Sequence, residues 1–223
     1  MTTQAIAQPS SDGIDEEGVI KFDLYHQEAP LAWDGLLTEL NVWRNLLFEL
    51  GLTGQDPSRY GGLGYGNVSI RAAKAEFIIS GSQTGGIREL GDAHYVLVTH
   101  ADSERNRIES MGPIRPSSES MTHAAAYAAY PWIQCVLHVH HPSIWRAAER
   151  MGLPATPADV AYGTVAMAVE IERLVRASHG PVIAMKGHTD GLIAFGRSIG
   201  ETGHALINAL VRSRVLENME RQH

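Results

Sequence analysis

The segment Cys135-Val136-Leu137-His138-Val139-His140 constrains this chain more than any other stretch. It reads as a short strand of buried character in which two histidines alternate with a valine. Side chains alternate across a strand, so His138 and His140 face the same way, about 7 Å apart along the backbone. Two imidazoles so placed can reach one ion with Zn–N bonds of about 2.0–2.1 Å. His141 falls on the opposite face of an ideal strand and is expected to be a structural or supporting histidine.

Around this strand the apolar pattern alternates irregularly between helical and extended periods. Leu36, Leu37, Leu40, Trp43, Leu46, Leu47 and Leu50 recur at helical spacing, with Gly51 as the stop. Glycine-rich Tyr60-Gly61-Gly62-Leu63-Gly64-Tyr65-Gly66-Asn67 leads into a strand at Val68-Ser69-Ile70-Arg71. Further strands are expected at Phe77-Ile78-Ile79-Ser80 and Tyr95-Val96-Leu97-Val98-Thr99. Helices are expected from Ser117 to Tyr130, from Ile144 to Met151 and from Val165 to Ala177. Strands at Pro181 to Met185 and Leu192 to Phe195 flank a turn holding His188. Ser198-Ile199-Gly200-Glu201 has capping-box spacing and opens a last helix toward Glu217. The architecture expected is three-layer α/β, a central, mostly antiparallel sheet flanked by helices.

Composition narrows the function classes. A net charge of −7 argues against an extended contact with nucleic acid or an anionic membrane. No stretch approaches the roughly 20 consecutive apolar residues that span a bilayer. Cys135 is the only cysteine, which excludes an intrachain disulfide and makes a cytoplasmic location the expectation. Residues 1–24, rich in Ser, Gln, Asp and Glu without a signal-peptide pattern, are expected to form a flexible tail, and 25–223 a single domain.

A catalytic zinc site usually takes three protein ligands and keeps an open position. His188, in Lys186-Gly187-His188-Thr189-Asp190-Gly191, is the third candidate, presented by a tight turn at a sheet end. His26, His94, His100, His123, His179, His204 and His223 lack such a context and are assigned to surface or packing. Ser117-Ser118-Glu119 opens a helix, where the hydroxyls can cap it or its free N–H groups can hold an anion. Glu119 suits a first helical turn and, beside a metal, can also shuttle a proton. Gly66-Asn67 and Ser80-Gly81-Ser82-Gln83-Thr84-Gly85-Gly86 are loops whose backbone N–H groups can complete an anion cradle. A dinucleotide fingerprint is excluded, because the glycine-rich run precedes a strand and lacks the required spacing.

In this order, Gly66-Asn67-Val68-Ser69, Thr84-Gly85, Ser117-Ser118-Glu119, His138-Val139-His140 and His188 with Gly191-Leu192-Ile193-Ala194-Phe195-Gly196 resemble the class II aldolase/adducin family. The resemblance runs from about Leu36 to the last helix. It implies the fold of fuculose-phosphate and rhamnulose-phosphate aldolases and ribulose-phosphate 4-epimerase, zinc-dependent homotetramers with active sites at subunit boundaries. It also implies His138, His140 and His188 as metal ligands, Glu119 as acid/base, and Asn67, Thr84, Gly85, Ser117 and Ser118 as the substrate-phosphate pocket. The activity implied is an aldehyde-lyase that cleaves a ketose phosphate or related hydroxy-oxo compound by retro-aldol chemistry through a metal-stabilised enediolate.

Three departures accompany the resemblance. The family's neighbouring-subunit tyrosine has only Tyr162 as a candidate here. The usual His-Gly pair is spread to His188-Thr189-Asp190-Gly191, and the loop from Ser80 to Gly86 is longer than the common phosphate loop. A sugar-phosphate 4-epimerase, a thio-sugar-phosphate dehydratase and a non-catalytic adducin-like binding module stand as alternatives. Three imidazoles suit zinc and also cobalt, nickel, manganese or iron.

Overall fold

The computed structural model describes residues 18–177 and 180–222. Its elements are β1 (Asp23–Glu28), α1 (Thr38–Glu49), β2 (Gly54–Gln55), β3 (Gly64–Tyr65), β4 (Asn67–Arg71), β5 (Phe77–Ser80), β6 (Tyr95–Asp102), β7 (Arg107–Gly112), α2 (Ser120–Ala129), β8 (Cys135–His140), α3 (Pro142–Ala147), α4 (Val165–Ala177), β9 (Val182–Ala184), β10 (Gly191–Gly196) and α5 (Ile199–Glu220). An eight-stranded sheet runs in the order β1-β7-β6-β5-β4-β8-β10-β9, and β2 pairs with β3 separately. In the main sheet β1 and β7 pair in parallel and the other neighbours are antiparallel.

The apolar character of β8 follows from its position. It lies between β4 and β10, and all six of its residues are buried. Alternation then divides the core in two. Val136, Ile193 and Phe195 point to one side, where Ala125, Ala126, Met167 and Ile171 from α2 and α4 cover them. Leu137, Val139, Leu192 and Ala194 point to the other, under Leu40, Leu47, Ile144 and Leu206 from α1, α3 and α5. A sheet buried on both faces needs a helical layer on each side, giving the three-layer α/β architecture expected from the sequence.

Several boundaries differ from the sequence expectation. In α1 the buried face is Leu40, Arg44 and Leu47, while Leu46 and Leu50 of the apolar stripe are each 37% exposed. Gly51, at φ +70°, ends this helix. The helix expected near Ile144 to Met151 is shorter and earlier, starting at Pro142 with the His141 ring accepting a hydrogen bond from the Ile144 N–H. At α5, Ser198 caps as expected, but Glu201 reaches back to the Arg197 N–H instead of that of Ser198.

The expected tail requires a correction. Residues 1–17 lie outside the described residues, and the rest of that segment is docked: Phe22 is 3% exposed in the α2/α4 core, and Asp23 and Leu24 begin β1. This edge strand carries few apolar residues, so it has no periodic signature, and its parallel pairing with β7 is a contact between residues some eighty positions apart in the chain, such as Asp23 and Arg107.

Candidate metal centre

His138 and His140 share the parity of Val136, so both project to the α2/α4 side at the end of β8. The register sets Asn67 of β4 opposite His138 on one edge, and Ile193 and Gly191 of β10 opposite His138 and His140 on the other. His188 returns to the same place through a tight turn. Its N–H donates to the Met185 carbonyl at 3.1 Å, and its own carbonyl accepts from the Gly191 N–H at 2.9 Å. Gly191 is needed there, because a Cβ would stand 3.0 Å from two His188 ring atoms. The expanded His188-Thr189-Asp190-Gly191 spacing therefore leaves the third histidine within reach of the other two.

One nitrogen from each of His138, His140 and His188 lies within 4.8 Å of the others, and all three residues are buried. His138 Nδ1 lies 3.0 Å from the Leu192 carbonyl, which selects the Nδ1–H tautomer and turns the Nε2 lone pair toward His140 Nε2, 3.0 Å away. That separation suits two ligands each about 2.0–2.1 Å from a shared ion. Burial first, then the neighbouring His188 and His138, hold the His140 pKa well below its ordinary value, so this imidazole is neutral and able to bind a cation. The donor set fits a divalent metal.

Glu119 precedes α2 on the same side of the sheet and is 2% exposed. Its Oε2 accepts from Thr122 Oγ1 at 2.7 Å, whereas Oε1 has no hydrogen-bond partner and lies 3.9 Å from His188 Nδ1. Ser117 and Ser118, next to Glu119 in the chain, line a small polar cleft with Asn67, Thr84 and Gly85, and Gly66 and Gln83 form part of the rest of its wall. Ser117 Oγ accepts from the Glu119 N–H at 3.2 Å, a turn just ahead of α2, and the N-cap position itself is Glu119 without a side-chain cap.

Of the remaining histidines, His123 and His141 are buried packing groups, while His100 and His204 are exposed. His123 is fully buried with its Nδ1 2.7 Å from Ser69 Oγ, and Ser69 Oγ is 2.8 Å from the Tyr127 hydroxyl. His141 caps α3, and its pKa is pushed down to about 4, chiefly by burial. His179 and His223 lie outside the described residues. Tyr162 is 2% exposed and stacks on His188 of its own chain, with ring centroids 4.3 Å apart.

The sequence reading missed the residues that close over His140. The Tyr60 ring meets the His140 ring edge-on at 4.7 Å, and its hydroxyl donates to Asp190 Oδ2 at 2.8 Å. Arg59 donates to that hydroxyl and to Asp190 at 3.2 Å. These partners stand 131 and 130 positions apart, beyond the range of any local pattern. Asp190 and Tyr60 share a positive φ, +60° and +51°, which marks both as turn residues held by tertiary contacts.

The model of the class II aldolase and adducin N-terminal domain matches residues 58–212. No curated protein sequence matches the chain. Among solved structures, L-fuculose-1-phosphate aldolase from Thermus thermophilus aligns with a TM-score of 0.63 and 17% identity, over 84% of this chain and 95% of that one. A sugar-phosphate aldolase from Thermotoga maritima aligns with a TM-score of 0.66 and 14% identity, over 83% and 95%. YgbL from Klebsiella pneumoniae, a candidate aldolase/epimerase/decarboxylase, aligns with a TM-score of 0.64 and 16% identity, over 84% and 91%. At these identities the structures establish the shared fold, and the sequence match, spanning more than half the chain, establishes the lineage. The chain belongs to the class II aldolase and adducin family.

Proposed function

We propose that this chain is a metal-dependent aldehyde-lyase that cleaves a ketose phosphate or related hydroxy-oxo compound by a retro-aldol reaction. The observation that carries the reading is the buried convergence of His138, His140 and His188 with the half-satisfied carboxylate of Glu119. Three imidazole ligands favour zinc as the resident ion. When bound, it would supply Lewis acidity toward neighbouring carbonyl and hydroxyl oxygens of the substrate.

The chain's own groups account for the rest. Asn67, Thr84, Gly85, Ser117 and Ser118 hold the far end of the substrate in the cleft and so fix which carbon faces Glu119. Glu119 takes the proton of the substrate hydroxyl, the carbon–carbon bond breaks to release an aldehyde, and the electron pair stays on the carbon beside the carbonyl. Glu119 delivers the proton to that carbon. Thr122 anchors one carboxylate oxygen, leaving Oε1 to make the transfer. Burial of the three histidines and Glu119 excludes water that would compete for the carbanion. The reading includes a homotetramer, which light scattering on the purified protein tests directly.

The test is elemental analysis followed by a sugar-phosphate screen with Glu119→Gln as control. About one divalent ion per chain, fragments from at least one substrate, and a loss of about 10²–10⁴-fold in rate for Glu119→Gln with metal retained are expected. An altered stereocentre without fragments would make the protein an epimerase, and loss of water a dehydratase. A protein that takes up no metal even after reconstitution would be a binding module.

A further inference from the structure

Among the described residues, the wall of the cleft holds no cation. Its lining is Gly64, Gly66, Asn67, Gly81, the loop from Ser82 to Gly85, Ser117 and Ser118, with Gly18 at its margin. Glycines, hydroxyls and amides offer hydrogen bonds to a phosphate but no net charge. A positive charge nevertheless lies directly behind the loop. Arg44, on the buried face of α1, is 2% exposed and donates from Nη2 to the carbonyls of Thr84 at 3.1 Å and Gly85 at 2.8 Å. Its Nη1 donates to the Arg88 carbonyl at 2.5 Å.

Among the described residues no carboxylate pairs with this guanidinium; burial lowers its pKa and Tyr95 is the one group opposing that effect. An arginine remains charged under such a shift, so the core holds an uncompensated cation. Leaving a buried charge unpaired is costly, and a chain has simpler ways to fasten a loop. The orientation of the two peptides suggests what the charge does. In a trans peptide the N–H points opposite to the C=O. The peptides joining Thr84 to Gly85 and Gly85 to Gly86 therefore turn their carbonyl ends to Arg44 and their N–H ends away from it. Among the described residues no hydrogen bond within the chain uses either of those N–H groups. Gly85 itself is wedged against β3, where a Cβ would stand 2.5 Å from the Tyr65 nitrogen, so the loop cannot easily rotate.

We propose that Arg44 is the positioning residue that makes this neutral-walled cleft bind an anion, acting chiefly through the Thr84–Gly85 peptide, which it orients and polarises and whose two residues line the cleft. The cleft's ligand is then a phosphate or comparable anionic group, and a neutral end group is disfavoured. This rests on the reading of the cleft as the substrate's far-end site, but not on the metal or on turnover.

The experiment is calorimetric titration of the purified full-length chain with inorganic phosphate, comparing wild type with Arg44→Lys, Arg44→Gln and Asn67→Ala. Asn67→Ala locates the ion in the cleft. Expected are a weakening of about tenfold or more in Arg44→Gln, retention within about threefold in Arg44→Lys, and similar losses of melting temperature in both. Equal weakening in the lysine and glutamine variants would make Arg44 a loop clamp and overturn the proposal. Undiminished binding in Arg44→Gln would overturn it while leaving the cleft's role intact. Failure of the wild type to bind phosphate, or binding insensitive to Asn67→Ala, would remove the cleft reading and this proposal together.

Discussion

The histidine cluster and the cleft beside it share one end of the sheet but are built by opposite means. In the cluster, side chains converge: two come from alternate positions of one strand and a third from a turn, and the backbone serves only to aim them. In the cleft the backbone forms much of the wall, through glycines at 64, 66, 81 and 85, while the charge stands behind it on α1. A side-chain site survives small backbone adjustments, because rotamers can follow. A backbone site has no such latitude, so its supporting contacts should matter as much as its lining.

The comparison can be broken first at the cluster. His138→Ala removes the proposed ligand whose tautomer is set by Leu192, and the metal content should fall from about one ion per chain to none. Activity on any substrate found should then fall by about 10³-fold or more, since the Lewis acid supplies several kcal/mol. Inorganic phosphate should still bind the cleft in this variant; its simultaneous loss would mean that the two sites are one unit.

At the cleft, Gly85→Ala tests the backbone argument. The new Cβ would meet the Tyr65 nitrogen and carbonyl oxygen at 2.5 and 2.6 Å, forcing the loop away from β3. A destabilisation of about 1–3 kcal/mol is expected in chemical denaturation, with weaker phosphate binding and unchanged metal content. Gly91→Ala, where a Cβ meets nothing within 4 Å, is the matched control and should be near neutral.

The smallest effect is on pH dependence. The folded protein holds His141 at about 4 and His140 well below 6.5, both mainly through burial. The unfolded chain takes up these protons near 6.5 and the folded chain does not, so the unfolded state binds more protons below that pH. Stability of the metal-free protein should be complete above about 6.5 and decline as pH falls toward about 4. Denaturation midpoints measured across that range check the sign, and His141→Asn should flatten the slope.

The membrane expectation bears on the same fold: among the described residues no helix is long and apolar enough to cross a bilayer. β8, β10, α4 and the start of α5 were legible because their signals are local, an unbroken buried run, a helical stripe, and a serine three residues before a glutamate. The polar edge strand β1 was not, because nothing in Asp23–Glu28 distinguishes it from a solvated segment until β7 lies beside it.

The sequence by itself determined that His138 and His140 face one side of a buried strand, since the two-residue period is a property of the extended backbone. It also determined the turn that presents His188 and the three-layer class. Only the tertiary structure decided that His188 and Glu119 meet that strand, that Tyr60 and Arg59 close over His140 through Asp190, and that Arg44 is buried behind the Thr84–Gly85 loop forty residues away. Those are relations between segments whose neighbours are chosen by strand order and layer packing, and no periodicity within any one segment encodes them.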